Sequence, residues 1–321
     1  MRISAVAPRG MIAPVPAVPD LPVLPDLSDR TVLVTGANAG LGYFATEQLA
    51  AAGAHVLLAC RSAERAARAV AAVRARVPGA RLDVAGLDLA DLGSVAACAR
   101  AVDVGLDAVL CNAGVTGTDG RRTTADGLEL MMGGNAFGHL ALVAGLADRL
   151  RPGARVVTVG SIASRWSPLD LDDLQAERGF RSFRQYGRSK TAAMALAFTL
   201  DRRWRAAGRD GLALAAHPGF AVDVLSPSRP GVVEPSAVAR RLARPARLLV
   251  QGKDAGAWPL VHACVGAGVR GGGYWGPGGV QELLGPPAPA RAHDHVRSSD
   301  TGDRLWAAAE QATGLSLAGL A

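Results

Sequence analysis

Hydrophobic positions along the chain follow two alternating periods. Short apolar runs such as Val32-Leu33-Val34 and Val56-Leu57-Leu58 are each followed by longer Ala, Leu and Arg segments whose apolar residues recur at helical spacing. The pattern predicts strands over 31–35, 55–59, 82–87, 107–111, 155–159 and 212–216. Between them it predicts helices over 41–52, 63–76, 92–102, 128–150 and 184–206. Beyond Pro218 the regularity weakens, and Pro227, Pro230 and Pro235 mark a loop. A helical stretch is expected near 238–250, a last strand at Tyr274 and a terminal helix over 305–313. Strand–helix alternation of this kind defines an α/β fold, a doubly wound parallel sheet with helices on both faces. Such sheets bind ligands outside the carboxyl ends of their strands, so the residues just after each strand carry the functional information.

Length and composition narrow the class. A chain of 321 residues allows one to three domains, and the alternation runs on as a single domain over 29–321. Residues 1–28 hold six prolines, which prevent a helix or central strand, so this segment is expected to be an extended N-terminal arm, and Met11 is an alternative start. The arm lacks the apolar core and cleavage site of a secretory signal. No apolar run reaches the roughly 18 residues of a membrane-spanning helix. The +7 charge comes almost wholly from arginine, Lys190 and Lys253 being the two lysines. Arginine is spread beside Ala and Asp, not gathered into the basic stripe of a nucleic-acid binder. Cys60, Cys98, Cys111 and Cys264 form no paired motif, and the histidines have no metal spacing. Buried thiols in a reducing cytoplasm are therefore expected, with no metal site. The Ala and Arg bias fits a GC-rich bacterial source.

Candidate chemistry begins after the first strand, at Thr35-Gly36-Ala37-Asn38-Ala39-Gly40-Leu41-Gly42. Glycines at a strand-to-helix turn let the backbone approach a pyrophosphate, and the helix N terminus supplies free N–H groups. The second strand ends in Cys60-Arg61, where folds that bind NAD usually place an acid for the adenosine ribose. A guanidinium there suits a 2′-phosphate and favours NADP(H) over NAD(H). Asp88, just past the third strand and beside Leu89, is placed to accept from the adenine amino group.

A second group of residues points to hydrogen transfer. Tyr186 and Lys190 lie one helical turn apart on one face, where an ammonium lowers a phenol's pKa and makes it a usable acid or base. Ser161 follows the fifth strand, and Asn112-Ala113-Gly114 the fourth. The chain's three asparagines, Asn38, Asn112 and Asn135, all fall where this reading needs an amide.

As an ordered set, these motifs with His217-Pro218-Gly219 resemble the short-chain dehydrogenase/reductase family over about 29–315. Asn135-Ala136-Phe137-Gly138-His139, Cys60-Arg61, the Ser161–Tyr186 spacing and Tyr274-Trp275-Gly276-Pro277 resemble its retinol dehydrogenase-like branch. The resemblance implies a Rossmann-type fold and an NADP(H)-dependent exchange between a carbonyl and an alcohol on a lipophilic small molecule. It implies Tyr186 as acid/base, Lys190 lowering its pKa and holding the nicotinamide ribose, Ser161 polarising the carbonyl, and Asn135 holding a water. Gly36, Asn38, Gly40, Leu41 and Gly42 would carry the diphosphate and its ribose. Asn112, Ala113 and Gly114 would border the adenosine, and Pro218 and Gly219 the nicotinamide. The family often forms homo-oligomers, although no interface is readable in this sequence. Asp223 departs from the family's usual Thr and leans towards the rival reading, an inactive dinucleotide-binding scaffold. Such a scaffold would be expected to have lost Tyr186 or Lys190, and both are present. Segments 164–183 and 220–250 are expected to cover the substrate, with Trp166, Phe180 and Phe183 as candidate pocket walls.

Overall fold

The structure is a computed structural model and describes residues 24–320. Most of the expected arm, residues 1–23, lies outside the described residues. The last residues assigned to the arm behave as part of the body. Leu27 is buried in the core and its N–H donates to Ala52 O at 2.8 Å.

The first half is a regular alternation: β1 (Thr31–Thr35), α1 (Gly40–Ala51), β2 (His55–Cys60), α2 (Ala63–Arg76), β3 (Leu82–Gly86), α3 (Leu92–Ala101) and β4 (Leu106–Cys111). Then come α4 (Leu130–Met132), a π turn over Gly133–Phe137, α5 (Gly138–Gly145), β5 (Leu150–Val159), α6 (Ser182–Ala206) and β6 (Gly211–Ala216). The remainder is β7 (Ala221–Val222), α7 (Ala237–Ala243), β8 (Gln251–Gly252), α8 (Lys253–Val265), β9 (Tyr274–Pro277), β10 (Pro287–Pro289), α9 (Asp294–Arg297) and α10 (Ser299–Thr313).

Eight strands form one sheet in the order β10-β9-β6-β5-β4-β1-β2-β3, and β7 pairs separately with β8. Neighbours in the large sheet are parallel except the edge strand β10, which runs antiparallel to β9. Because side chains alternate across a strand, Leu33 of β1 enters one core while Val32 and Val34 enter the other. The first core packs α3, α5, α6 and α10, and the second packs α1, α2 and α8. Helices therefore cover both faces, as the doubly wound architecture requires. Strand order reverses between β1 and β4, which opens a crevice at the carboxyl ends of these two strands.

The structure corrects the continuous helix expected over 128–150. The buried Glu129 caps α4, its carboxylate accepting from Met131 N at 3.0 Å and Met132 N at 2.8 Å. Gly133 and Gly134 then open the π turn, since residues without side chains hold a regular helix weakly. After Gly145 the chain tightens into a 3₁₀ turn over Ala147–Arg149, and Leu150 pairs with Leu106 as the start of β5. The helical stretch expected near 238–250 is α for seven residues and then 3₁₀ over Arg244–Leu248.

Candidate active site

A cleft of about 1320 Å³ runs across the carboxyl ends of the strands. It exceeds the roughly 300–1,000 Å³ of an ordinary small-molecule site, which leaves room for a dinucleotide and a second molecule. The glycine turn forms one wall. Gly36 and Gly40 have φ of +64° and +54°, a left-handed backbone that favours glycine. No side chain caps α1 and its first turn carries no acid, so its leading N–H groups face the cleft.

Asn112 belongs to the scaffold of that turn. Its Nδ2 donates to Thr35 O at 2.9 Å, while Thr35 Oγ1 accepts from the N–H groups of Asn112 and Ala113, both at 2.9 Å. Gly42 is the one residue of the expected cofactor set that does not line the cleft. A Cβ there would lie 2.4 Å from Gly36 O and 2.5 Å from Asn112 Nδ2, so its function is close packing. At the other end of the turn, Cys60 is buried with its sulfur facing the N–H groups of Ala37 and Asn38, and burial pushes its thiol up to about 11. Arg61 is exposed on the cleft rim, 3.8 Å from Asp88. Asp88 also accepts from Ala90 N at 3.0 Å, and Arg65 joins the same rim.

Tyr186, Ser161, Lys190 and Asn135 converge on the opposite wall. Ser161 stands just past β5, its hydroxyl close enough to the Tyr186 phenol to favour the phenolate. Lys190 is buried and donates to Val159 O at 2.9 Å. A Cβ placed on Gly114 would lie 3.1 Å from Asn135 Oδ1 and 3.5 Å from Lys190 Nζ, which locates all three at one spot.

One expectation about this cluster changes. Burial raises the Tyr186 phenol above its ordinary value, and Ser161 offsets this only in part. Lys190 is not among the influences on that phenol; its ammonium donates to the Val159 carbonyl, and burial drives its own pKa down to about 8. Asn135, placed by the π turn, spends its amide on the protein. Its Oδ1 accepts from Val115 N at 2.8 Å, and its Nδ2 donates to Val115 O at 3.0 Å and Ser189 Oγ at 2.9 Å. Ser189 Oγ in turn donates to Tyr186 O at 2.8 Å, so Asn135 braces the helix that carries the phenol. His139 supports the π turn from below. Its Nδ1 donates to Asn135 O at 3.1 Å and its Nε2 meets Thr35 Oγ1 at 2.9 Å, with burial lowering its pKa to about 4.

The depressed Lys190 has a testable consequence. Its pKa is about 8 folded against 10.5 ordinarily, so between those values the unfolded chain binds more protons and folding stability rises with pH. Below about pH 8 the cost of burying the charge is fully present. Lys190→Met should remove this rising component from the dependence of melting temperature on pH between 8 and 10.5.

Pro218 and Gly219 line the cleft after β6 and are held by the segment following β9. A Cβ on Gly219 would come 2.3 Å from Leu283 O. In that segment Glu282 meets His217 at 3.2 Å and Arg165 at 2.5 Å, and His217, the Arg291 N–H and Arg165 together hold its carboxyl down near 2. The aromatic wall expected on the substrate side is not assembled. Trp166 and Phe183 are 70% and 68% exposed and, with Phe180, lie off the cleft, whereas Phe220 lines it. Asp223 and Lys253, both on the cleft wall, form an ion pair at 2.6 Å. Lys253 was invisible as a site residue in the motif pattern, although it is one of only two lysines and both line this cleft.

A glycine turn and a Tyr–Ser–Lys cluster line one crevice at the carboxyl ends of the strands. Comparison with known proteins gives the family. The family described as short chain dehydrogenase matches residues 30–208, and the chain belongs to it, in its retinol dehydrogenase-like branch. The chain is 33% identical to mouse polyprenol dehydrogenase over 89% of its own length and 84% of that protein. It is 35% identical to mouse retinol dehydrogenase 12 over 61% of its length and 63% of that protein. Several other relatives are likewise matched over only 50–65% of their length. Among solved structures, an uncharacterised protein from Mycobacterium paratuberculosis has 32% identity and a TM-score of 0.75, with 92% of this chain and 97% of that one covered. Among the described residues no helix is long and apolar enough to cross a membrane.

Proposed function

We propose that the protein is an NADP(H)-dependent oxidoreductase that interconverts a carbonyl and a primary or secondary alcohol on a lipophilic small molecule. The carrying observation is that Tyr186, Ser161 and Lys190 share one cleft with the uncapped glycine turn and Arg61. The cleft fits the cofactor. A helix N terminus with free N–H groups suits the diphosphate, and the close approach at Gly36 and Gly40 leaves the backbone open to it. Arg61 and Arg65 suit the adenosine 2′-phosphate, which favours NADP(H) over NAD(H). Bound there, the nicotinamide supplies or accepts hydride.

The chain's own residues then have distinct tasks. Ser161 holds the substrate oxygen beside the Tyr186 hydroxyl, and Tyr186 passes a proton to or from that oxygen. A phenol that burial keeps neutral has a proton to donate to a carbonyl oxygen. Lys190 supplies positive charge beneath the site and a donor for the nicotinamide ribose, and Asn135 positions the helix. Pro218, Gly219 and Phe220 wall the nicotinamide end, while Val232, Val233, Glu234 and Pro235 reach the cleft from a segment that the Arg229–Glu47 pair anchors on α1. The names of retinol and polyprenol dehydrogenases among the relatives support a bulky apolar alcohol or its carbonyl counterpart. Four buried, unpaired thiols suit a reducing, cytoplasmic setting.

Assay of apolar aldehydes, ketones and alcohols with both cofactors, following reduced nicotinamide absorbance, tests this reading. Arg61→Asp should shift preference towards NADH by about 10-fold or more, as expected for loss of a charge-assisted contact. An unchanged ratio would mean that Arg61 does not touch the phosphate.

A further inference from the structure

Lys253 and Asp223 lie apart from the hydrogen-transfer cluster. Lys253 opens α8, and Asp223 begins the 3₁₀ turn after β7. The β7–β8 pairing, Ala221 with Gln251 and Val222 with Gly252, brings them together. Lys253 Nζ sits 2.6 Å from Asp223 Oδ2, and it also overhangs the glycine turn, since a Cβ on Gly40 would lie 3.1 Å from it. An ammonium thus faces the positively polarised N terminus of a helix that has no cap and no acid in its first turn. The Asp223 carboxylate is the anion compensating both.

We propose that Lys253 is a diphosphate-binding residue and that Asp223 is its exchangeable counter-ion, displaced from the ammonium when the dinucleotide enters. The inference rests on the dinucleotide reading of the cleft and adds a residue to it. The mounting of the two side chains supports exchange. Lys253 is fixed: its N–H donates to Ser226 Oγ at 2.8 Å, and Gln48 of α1 donates to Asp254 O at 2.7 Å. Gly256 lets α8 lie close on α1, where an added Cβ would come 3.2 Å from Leu41 Cδ2. The ammonium is therefore held at a set height above Gly40, with its side chain only 25% exposed. Asp223 is 53% exposed and can turn out to water without being buried. A diphosphate offers charged oxygens to the Gly40 and Leu41 N–H groups on one side and to Lys253 on the other, so it replaces the carboxylate with a better-matched anion.

The test measures binding, without turnover. Calorimetric titrations of wild type, Lys253→Met and Asp223→Asn would use NADP⁺, ADP-ribose and adenosine 2′-monophosphate at low and high salt. ADP-ribose carries the diphosphate, and the monophosphate reports only the Arg61 end. Lys253→Met should weaken NADP⁺ and ADP-ribose by about 10-fold or more, flatten their salt dependence and leave the monophosphate unchanged. Asp223→Asn, which keeps the lysine, should tighten ADP-ribose several-fold. Unchanged ADP-ribose affinity in Lys253→Met would overturn the assignment and leave the pair as a structural clamp. Weaker ADP-ribose binding in Asp223→Asn would overturn the exchange. Wild type that binds none of the three probes would reject the dinucleotide reading itself, and this inference with it.

Discussion

Tyr186→Phe should lower turnover by about 10²–10⁴-fold while leaving dinucleotide affinity and melting temperature close to wild type. The substitution removes one hydroxyl from a helix whose position is fixed elsewhere, by Ser189 bonding Tyr186 O and Asn135 bonding Ser189. The phenyl ring keeps its packing, and the glycine turn, Arg61 and Lys253 lie along the cleft away from it. Only the proton supplied to the substrate oxygen disappears. Single-turnover oxidation of NADPH by a carbonyl substrate, measured beside a binding titration of the same variant, separates the two effects. Retained turnover would reject Tyr186 as the proton donor. Lost affinity would show that the hydroxyl acts in holding the cofactor.

Gly42→Ala is expected to damage the glycine turn from within. Its added Cβ would fall 2.4 Å from the carbonyl oxygen of Gly36 and 2.5 Å from the Asn112 amide. The obstruction is a backbone atom, and Gly36 is fixed by its own N–H bond to Ala59 O at 2.8 Å. Relief requires the turn to open, which separates Asn112 from Thr35 and moves the Gly40 and Leu41 N–H groups. Overpacking of this kind costs roughly 1–3 kcal/mol. NADP⁺ affinity should fall by at least about 10-fold, with a melting temperature several degrees lower. Gly86→Ala is the control, since no atom lies within 4 Å of its added Cβ and it lies off the cleft. Equal behaviour of the two variants would remove the packing argument.

The regular first half was legible because each local rule points the same way. Strand-length apolar runs end in turn residues, and β1 to β4 with α1 to α3 lie within a residue or two of their expected limits. The helix over 128–150 was misread because its apolar periodicity continues across Gly133-Gly134 and into Leu150. The Glu129 cap, reinforced by Gln185 donating to Glu129 Oε2 at 2.8 Å, starts the helix at Leu130, the π turn interrupts it, and sheet pairing of Leu150 with Leu106 ends the segment. Helix α8 was missed because Pro259 stands inside it, although Ala257, Leu260, Val261 and Cys264 carry the helical spacing and are all buried.

The site was legible in its residue types more than in its electrostatics. Tyr186, Lys190, Ser161 and the turn, picked out by spacing, all line one crevice. Spacing did not reveal that the Lys190 ammonium faces the Val159 carbonyl, or that burial dominates both ionisable groups. Those depend on side-chain surroundings contributed by distant segments. The same holds for Lys253, which reaches the glycine turn only through the pairing of β7 with β8.

A crystal structure of the complex with NADP⁺ tests the central claim most directly. The account predicts the diphosphate on the Gly40 and Leu41 N–H groups, the 2′-phosphate at Arg61, and the nicotinamide ring against Tyr186 and Ser161. A dinucleotide bound with its nicotinamide away from Tyr186, or with its diphosphate off the glycine turn, would contradict it.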